Sequence, residues 1–123
     1  LFDKNGTTNF KPFDKLSYDK MLQERKQFLL EKIEFGERLV TKEITRRQLL
    51  ETLHNYQFWL VEPVIELARI KYAPLKITYG LKHGSRDLPS NVVKEIESLY
   101  IIKSLEDLGN KAQDIKAMVK KYA

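Results

Sequence analysis

Leu49-Leu50-Glu51-Thr52-Leu53-His54-Asn55-Tyr56-Gln57-Phe58-Trp59-Leu60-Val61-Glu62-Pro63-Val64-Ile65-Glu66-Leu67-Ala68-Arg69-Ile70-Lys71-Tyr72 is the stretch that decides the fold. Leu49, Leu50, Leu53, Tyr56, Trp59, Leu60, Val64, Leu67 and Ile70 recur at three-to-four spacing, the period of a helix with one buried face. The pattern predicts one long helix from about Thr45, a residue suited to an N-cap, to Tyr72. Pro63 lies inside it. A proline lacks the amide hydrogen and its ring meets the preceding turn, so a kink or break is expected near Leu60 to Glu62.

The same period extends in both directions. Upstream, from Ser17 as N-cap, Leu22, Leu29, Ile33 and Leu39-Val40 form an apolar stripe, with charged residues mostly opposite. The β-branched run Thr41 to Thr45 reads as a join between the two helices. Downstream, Pro89 fits the first turn of a third helix built on Val92, Val93, Ile96, Leu99 and Tyr100. Ser104-Leu105-Glu106-Asp107 is a capping box with Asp in place of Glu or Gln. It opens a fourth helix on Leu105, Leu108, Ala112, Ile115, Met118 and Val119, whose Lys116, Lys120 and Lys121 suit the negative end of the dipole. Between helices two and three, Ala73 to Leu88 shows no helical stripe; Pro74, Gly80 and Gly84 punctuate it, and a loop of that length tends to be functional. The expectation is all-α: a four-helix bundle over 17–123 with a long loop between helices 2 and 3.

At 123 residues the chain holds one core, and its 42% hydrophobic and 32% charged residues fit neither disorder nor a membrane span. The longest uncharged apolar-rich run, Tyr56 to Val61, falls far short of the roughly 18 residues a spanning helix needs. With no cysteine, disulfides, thiolate zinc sites and cysteine nucleophiles are excluded. A net charge of +5 is mild and spread over several helices, not a basic stripe that by itself signals nucleic acid. Residues 1–16 form an irregular N-terminal segment. Leu1-Phe2-Asp3-Lys4-Asn5-Gly6 reads as the end of a strand entering a turn, with Asn5-Gly6 supplying the positive φ angles. A half-strand needs ladder partners, so a sheet domain upstream of Leu1 is expected.

Leu67-Ala68-Arg69-Ile70-Lys71-Tyr72-Ala73-Pro74, Tyr79-Gly80-Leu81-Lys82-His83, Arg86-Asp87-Leu88-Pro89 and the later Leu99-Tyr100 together resemble the C-terminal helical domain of bacterial nucleotidyltransferase-fold proteins, relatives of the aminoglycoside-type nucleotidyltransferases. The opening Leu1 to Gly6 is similar to the last strand of their catalytic sheet. The resemblance implies an accessory, substrate-side domain of an enzyme that moves a nucleoside monophosphate from a nucleoside triphosphate to a hydroxyl acceptor. It implies Mg²⁺ in the parent enzyme, held by an Asp-x-Asp pair of the catalytic domain, and none bound by this chain. Gly84-Ser85 followed by Glu95-Ile96-Glu97 is similar in order to that catalytic motif, but residues two apart on a helix face different sides. Asp3 reads as a turn residue, and Gly6 comes too soon after it for a helix-loop-helix calcium site.

The substrate-binding candidates are Arg69, Lys71, Tyr79, Lys82, His83 and Arg86, on the loop and its flanks together with Lys76. Guanidinium forks suit phosphate oxygens, so these residues read as an anion surface beside the nucleotide or acceptor. Equally open is Arg69 paired with Glu66 or Asp87 and lysines that only face solvent. Arg47 and His54, seven apart and expected on one helix face, match the loosest motif of HEPN-type ribonucleases, whose helical fold resembles this one. There His would serve as general base and Arg would steady the phosphate. Phe28, Tyr56, Phe58 and Trp59 read as core, and Phe2, Phe10, Pro12 and Phe13 as pins for the N-terminal segment.

The expected partners are therefore an N-terminal catalytic domain and, in the parent protein, nucleotide and a small-molecule acceptor. No membrane is expected, the expected location is cytoplasmic, and a homodimer through the face left by the absent neighbour is a further expectation. The alternative is a basic helical module that binds nucleic acid or protein, or an HEPN-like ribonuclease.

Overall fold

Asp14 sets where the first helix begins. In the computed structural model, which describes residues 14–123, its carboxylate accepts from the Ser17 amide at 3.2 Å and the Ser17 hydroxyl at 2.8 Å. Those bonds hold the Asp14 carboxyl below its ordinary pKa. The cap is thus Asp14, and Ser17 belongs to the first turn of α1, Lys15–Thr45. The expectations that fall on Leu1, Phe2, Asp3, Phe10, Pro12 and Phe13 lie outside the described residues.

Helix α1 runs through the expected join at Thr41 to Thr45. There the Thr45 hydroxyl donates to the Thr41 carbonyl at 3.1 Å, a bond back along the helix in place of a cap. The turn comes at Arg47, whose φ of 56° lies in the left-handed region. Helix two therefore starts later than about Thr45: α2 covers Leu49–Tyr56, with Gln48 as its cap residue.

Pro63 disturbs the rod without breaking it. A π-turn at Gln57–Val61 joins α2 to α3, Glu62–Tyr72, and the Glu62 amide reaches back to the Gln57 carbonyl. Widening the helix by one residue ahead of Pro63 relieves the clash its ring would make one turn back. Here α1 lies very close: a Cβ on Gly36 would fall 2.4 Å from the Trp59 Cβ, so only glycine fits.

Beyond α3 the chain is more regular than expected. Pro74–Tyr79 forms a 3₁₀ helix with a kink at Lys76, and α4 is one turn, Gly84–Asp87. Pro89 caps α5, Ser90–Ser98, rather than lying inside it, and α5 stops before Tyr100. Ser104 caps α6, Leu105–Tyr122: its Oγ accepts from the Asp107 amide at 3.0 Å and Asp107 accepts from the Lys103 amide at 3.0 Å.

The described residues are all-α, with no strand among them, and no helix there is long and apolar enough to cross a membrane. Helix α1 packs on α2, the π-turn, α3 and α6, and α3 packs on α6 and the 3₁₀ segment. Their shared core takes Leu29, Ile33 and Val40 from α1, Leu60, Val64 and Leu67 from the second rod, Val92 and Ile96 from α5, and Leu108 and Ile115 from α6. Tyr56 is buried and donates to the Leu99 carbonyl at 2.7 Å, tying α2 to the end of α5; burial pushes its phenol pKa up. The other aromatics read as core part company: Trp59 is half-buried, while Phe28 and Phe58 are exposed.

Candidate functional site

Arg69, in the last turns of α3, is fully buried. A guanidinium removed from water must find partners for its donors. It finds three. Nε donates to the Gly80 carbonyl at 2.7 Å, Nη2 to the Lys82 carbonyl at 2.6 Å, and Nη1 to Asp87 Oδ2 at 3.0 Å. One side chain thus gathers the turn after the 3₁₀ segment and the last residue of α4. Asp87 is nearly as enclosed, with a side chain 4% exposed, and its other oxygen meets Lys76 Nζ at 3.3 Å and Arg86 Nε at 3.5 Å. The Arg69 hydrogen bond, followed by those of Lys76 and Arg86, holds the Asp87 carboxyl down at about 2 despite its loss of solvent.

The backbone bends to reach this clasp. Gly80 has φ 57°, a conformation costly for any side chain but glycine, and His83 adopts the left-handed region at φ 61° just before α4. The Tyr79 ring lies edge-on to His83 at 6.2 Å and within 5.8 Å of the Arg69 guanidinium carbon and 6.0 Å of Lys82 Nζ. Tyr18 of α1 donates to the Pro74 carbonyl, fastening the near end of the segment.

Of the six candidates, the fold gathers Arg69 of α3 with Tyr79, Lys82, His83 and Arg86 of the segment that follows it. Of the two readings left open for Arg69, the pairing with Asp87 is the one observed; Glu66 instead bonds Arg25 through both carboxylate oxygens. Tyr79, Lys82, His83 and Arg86 are exposed. Lys71 stands apart, donating to the Lys121 carbonyl at 2.9 Å near the end of α6.

Two adjoining clefts open beside the loop, divided by Leu81 and Tyr100. One, of about 270 Å³, has an apolar floor of Leu88, Val93 and Ile96 with Ser85 and Glu97 at its edge. The other, of about 500 Å³, runs between Arg25, Glu62 and Glu66 on one side and Ile77, Thr78 and Gly80 on the other. Partial burial, followed by the Glu62 charge, raises the Tyr100 pKa. Sequence reading placed none of Glu62, Glu66, Glu97 or Arg25 at the site. The signal was present in part: Glu62 and Glu66 lie four apart on one helix and so share a face.

Among the described residues, no group of His, Asp and Glu side chains is placed to hold a metal ion. Glu95 faces α6, bonded to Lys121 and Tyr122 and held below its usual pKa chiefly by Lys121, whereas Glu97 edges the smaller cleft. These residues do not fit a Mg²⁺ site. Nor do Arg47 and His54 share a helix face: Arg47 lies in the turn before α2 and pairs with Glu106 at 3.2 Å, while His54 stands exposed on α2.

The fold and site therefore define an all-α domain with a clasped loop beside paired clefts. Comparison with protein-family models, curated proteins and solved structures finds no match.

Proposed function

We propose that the chain is the substrate-side helical domain of a nucleotidyltransferase, whose catalytic carboxylates and Mg²⁺ belong to another domain. The observation that supports this reading is the clasp. Arg69, Gly80, Lys82 and Asp87 come from three separate pieces of the motif that resembles the nucleotidyltransferase family, and they meet in one hydrogen-bonded unit. That unit fixes the loop bearing Leu81, which with Tyr100 divides the two clefts. An acceptor would lie there, its apolar part on Leu88, Val93 and Ile96 and its hydroxyl or amine groups toward Glu62, Glu97 and the Tyr100 hydroxyl. Tyr79, Lys82, His83 and Arg86, on the outer side of the same loop, would face the nucleotide held by the catalytic domain.

Titration of the isotope-labelled chain with Mg-nucleotide and, separately, with hydroxyl-bearing amines tests this assignment. Amide shifts at Leu81, Glu97 and Tyr100 are expected with an acceptor, and none with Mg-nucleotide alone. Full-strength nucleotide binding by this chain without any partner refutes it.

A further inference from the structure

Leu81 lies in the turn Gly80-Leu81-Lys82-His83, where polar side chains are usual, and it is 55% exposed. Its backbone is held on every side. The carbonyls of Gly80 and Lys82, one before it and one after, accept from buried Arg69 at 2.7 and 2.6 Å. Its own carbonyl accepts from the Gly84 amide at 2.9 Å, and the Lys82 amide donates to the Tyr79 carbonyl at 2.9 Å. Gly80 at φ 57° and His83 at φ 61° close the turn in conformations that few residues adopt. An apolar side chain fixed in this way is a post set in place before any ligand arrives, which lowers the ordering cost of binding.

The post stands between the two clefts and lines both. The smaller, of about 270 Å³, has its apolar floor of Leu88, Val93 and Ile96 on one side of Leu81, with Ser85 and Glu97 at the edge. On the other side the larger cleft offers apolar surface again, from Ile65 and Ile77. An apolar chain that fills the smaller cleft can therefore lengthen in two ways. It can turn out into water, which gains nothing, or it can cross Leu81 and reach Ile65 and Ile77.

We infer that Leu81 is a specificity-determining residue: it bars the second route and so limits the apolar end of the acceptor to the length of the smaller cleft. The acceptor class is then a hydroxyl compound with a short apolar end. This inference rests on the reading of the paired clefts as the acceptor site.

Straight-chain 1-alkanols from propanol to decanol, titrated into the isotope-labelled chain without nucleotide, test it. Affinity read from the Val93 and Ile96 methyl shifts should rise about fourfold per added methylene, the worth of burying one, and then level off. In Leu81→Ala the rise should continue to longer alkanols, with new shifts at Ile65 and Ile77. Leu81→Met, of similar reach, should keep the wild-type limit. Leu81 is exposed, so neither change removes core packing, and helical circular dichroism should be unchanged. A rise that never levels in the wild-type chain, or a limit that Leu81→Ala leaves in place, overturns the role of Leu81 and spares the acceptor site. Alkanols that shift none of Leu81, Val93, Ile96 and Tyr100 overturn both.

Discussion

Replacing Arg69 by Met tests whether one buried guanidinium organises the loop. Methionine keeps most of the aliphatic length and volume, so the change removes the charge and its hydrogen bonds rather than opening a cavity. Three bonds disappear: those to the Gly80 and Lys82 carbonyls and to Asp87. Hydrogen bonds to a charged group contribute about 1.5 to 3 kcal/mol each, so full additivity would exceed what a small domain tolerates. Additivity fails here because the loop can lift and return both carbonyls to water. What remains is the cost of breaking one side of a buried ion pair, about 3 to 5 kcal/mol. The lower end applies, since Asp87 keeps Lys76 and Arg86. The expected loss in urea unfolding is therefore about 3 kcal/mol. Hydrogen exchange should localise it, with the Gly84 and Leu88 amides, bonded to the Leu81 and Gly84 carbonyls, losing protection while the core of α1 and α6 does so only through global unfolding. A loss below about 1 kcal/mol with unchanged exchange at Gly84 and Leu88 would refute the clasp as the organiser of the loop.

Gly36→Ala should cost about 1 to 3 kcal/mol in urea unfolding, although alanine favours a helix, because its methyl forces α1 away from the Trp59 backbone; Trp59 fluorescence reports the displacement. Tyr56→Phe should cost about 1 to 2 kcal/mol by leaving the buried Leu99 carbonyl without its donor, measured the same way. Acid should loosen the loop before the core. The folded Asp87 pKa, about 2, lies below the ordinary carboxylate value, so its stabilising contribution is complete above roughly pH 4 and fades as pH falls toward 2. Exchange at Gly84 followed from pH 5 to 2 should show that onset, and in Arg69→Met it should move to higher pH.

The helices were legible because their signals are local. Period placed all four expected helices, and Ser104 with Asp107 marked the start of α6 through a bond three residues long. Pro63 announced a disturbance, and it takes the form of a π-turn at Gln57–Val61, one turn ahead of the proline. The misplaced boundaries share a cause. Ser17 and Thr45 are good caps that lost to neighbours: Asp14 caps three residues earlier by accepting from the Ser17 amide, and the Thr45 hydroxyl bonds one turn back inside its own helix. Arg47 took a backbone conformation unusual for arginine, and with it went the helix face it was to share with His54.

At the site the residue types left Arg69 open between an outside anion and a carboxylate of its own chain, and the structure shows the pairing with Asp87. A guanidinium offers the same donors to a phosphate, a carboxylate or a pair of carbonyls, so composition cannot choose among them; burial does. Arg69 sits on the core side of α3, where the nearest acceptors belong to its own chain, while Arg86, the third residue of α4, stays mostly exposed beside the other oxygen of Asp87. The aromatic residues err in the opposite sense. Phe28 and Phe58 fit an apolar stripe when the helix is read alone, yet the stripe is wider than the core it faces. The width of such a stripe is fixed by what packs on it, and among the described residues the packing on α1 buries the side of Leu29 and Ile33 while Phe28 stays half exposed.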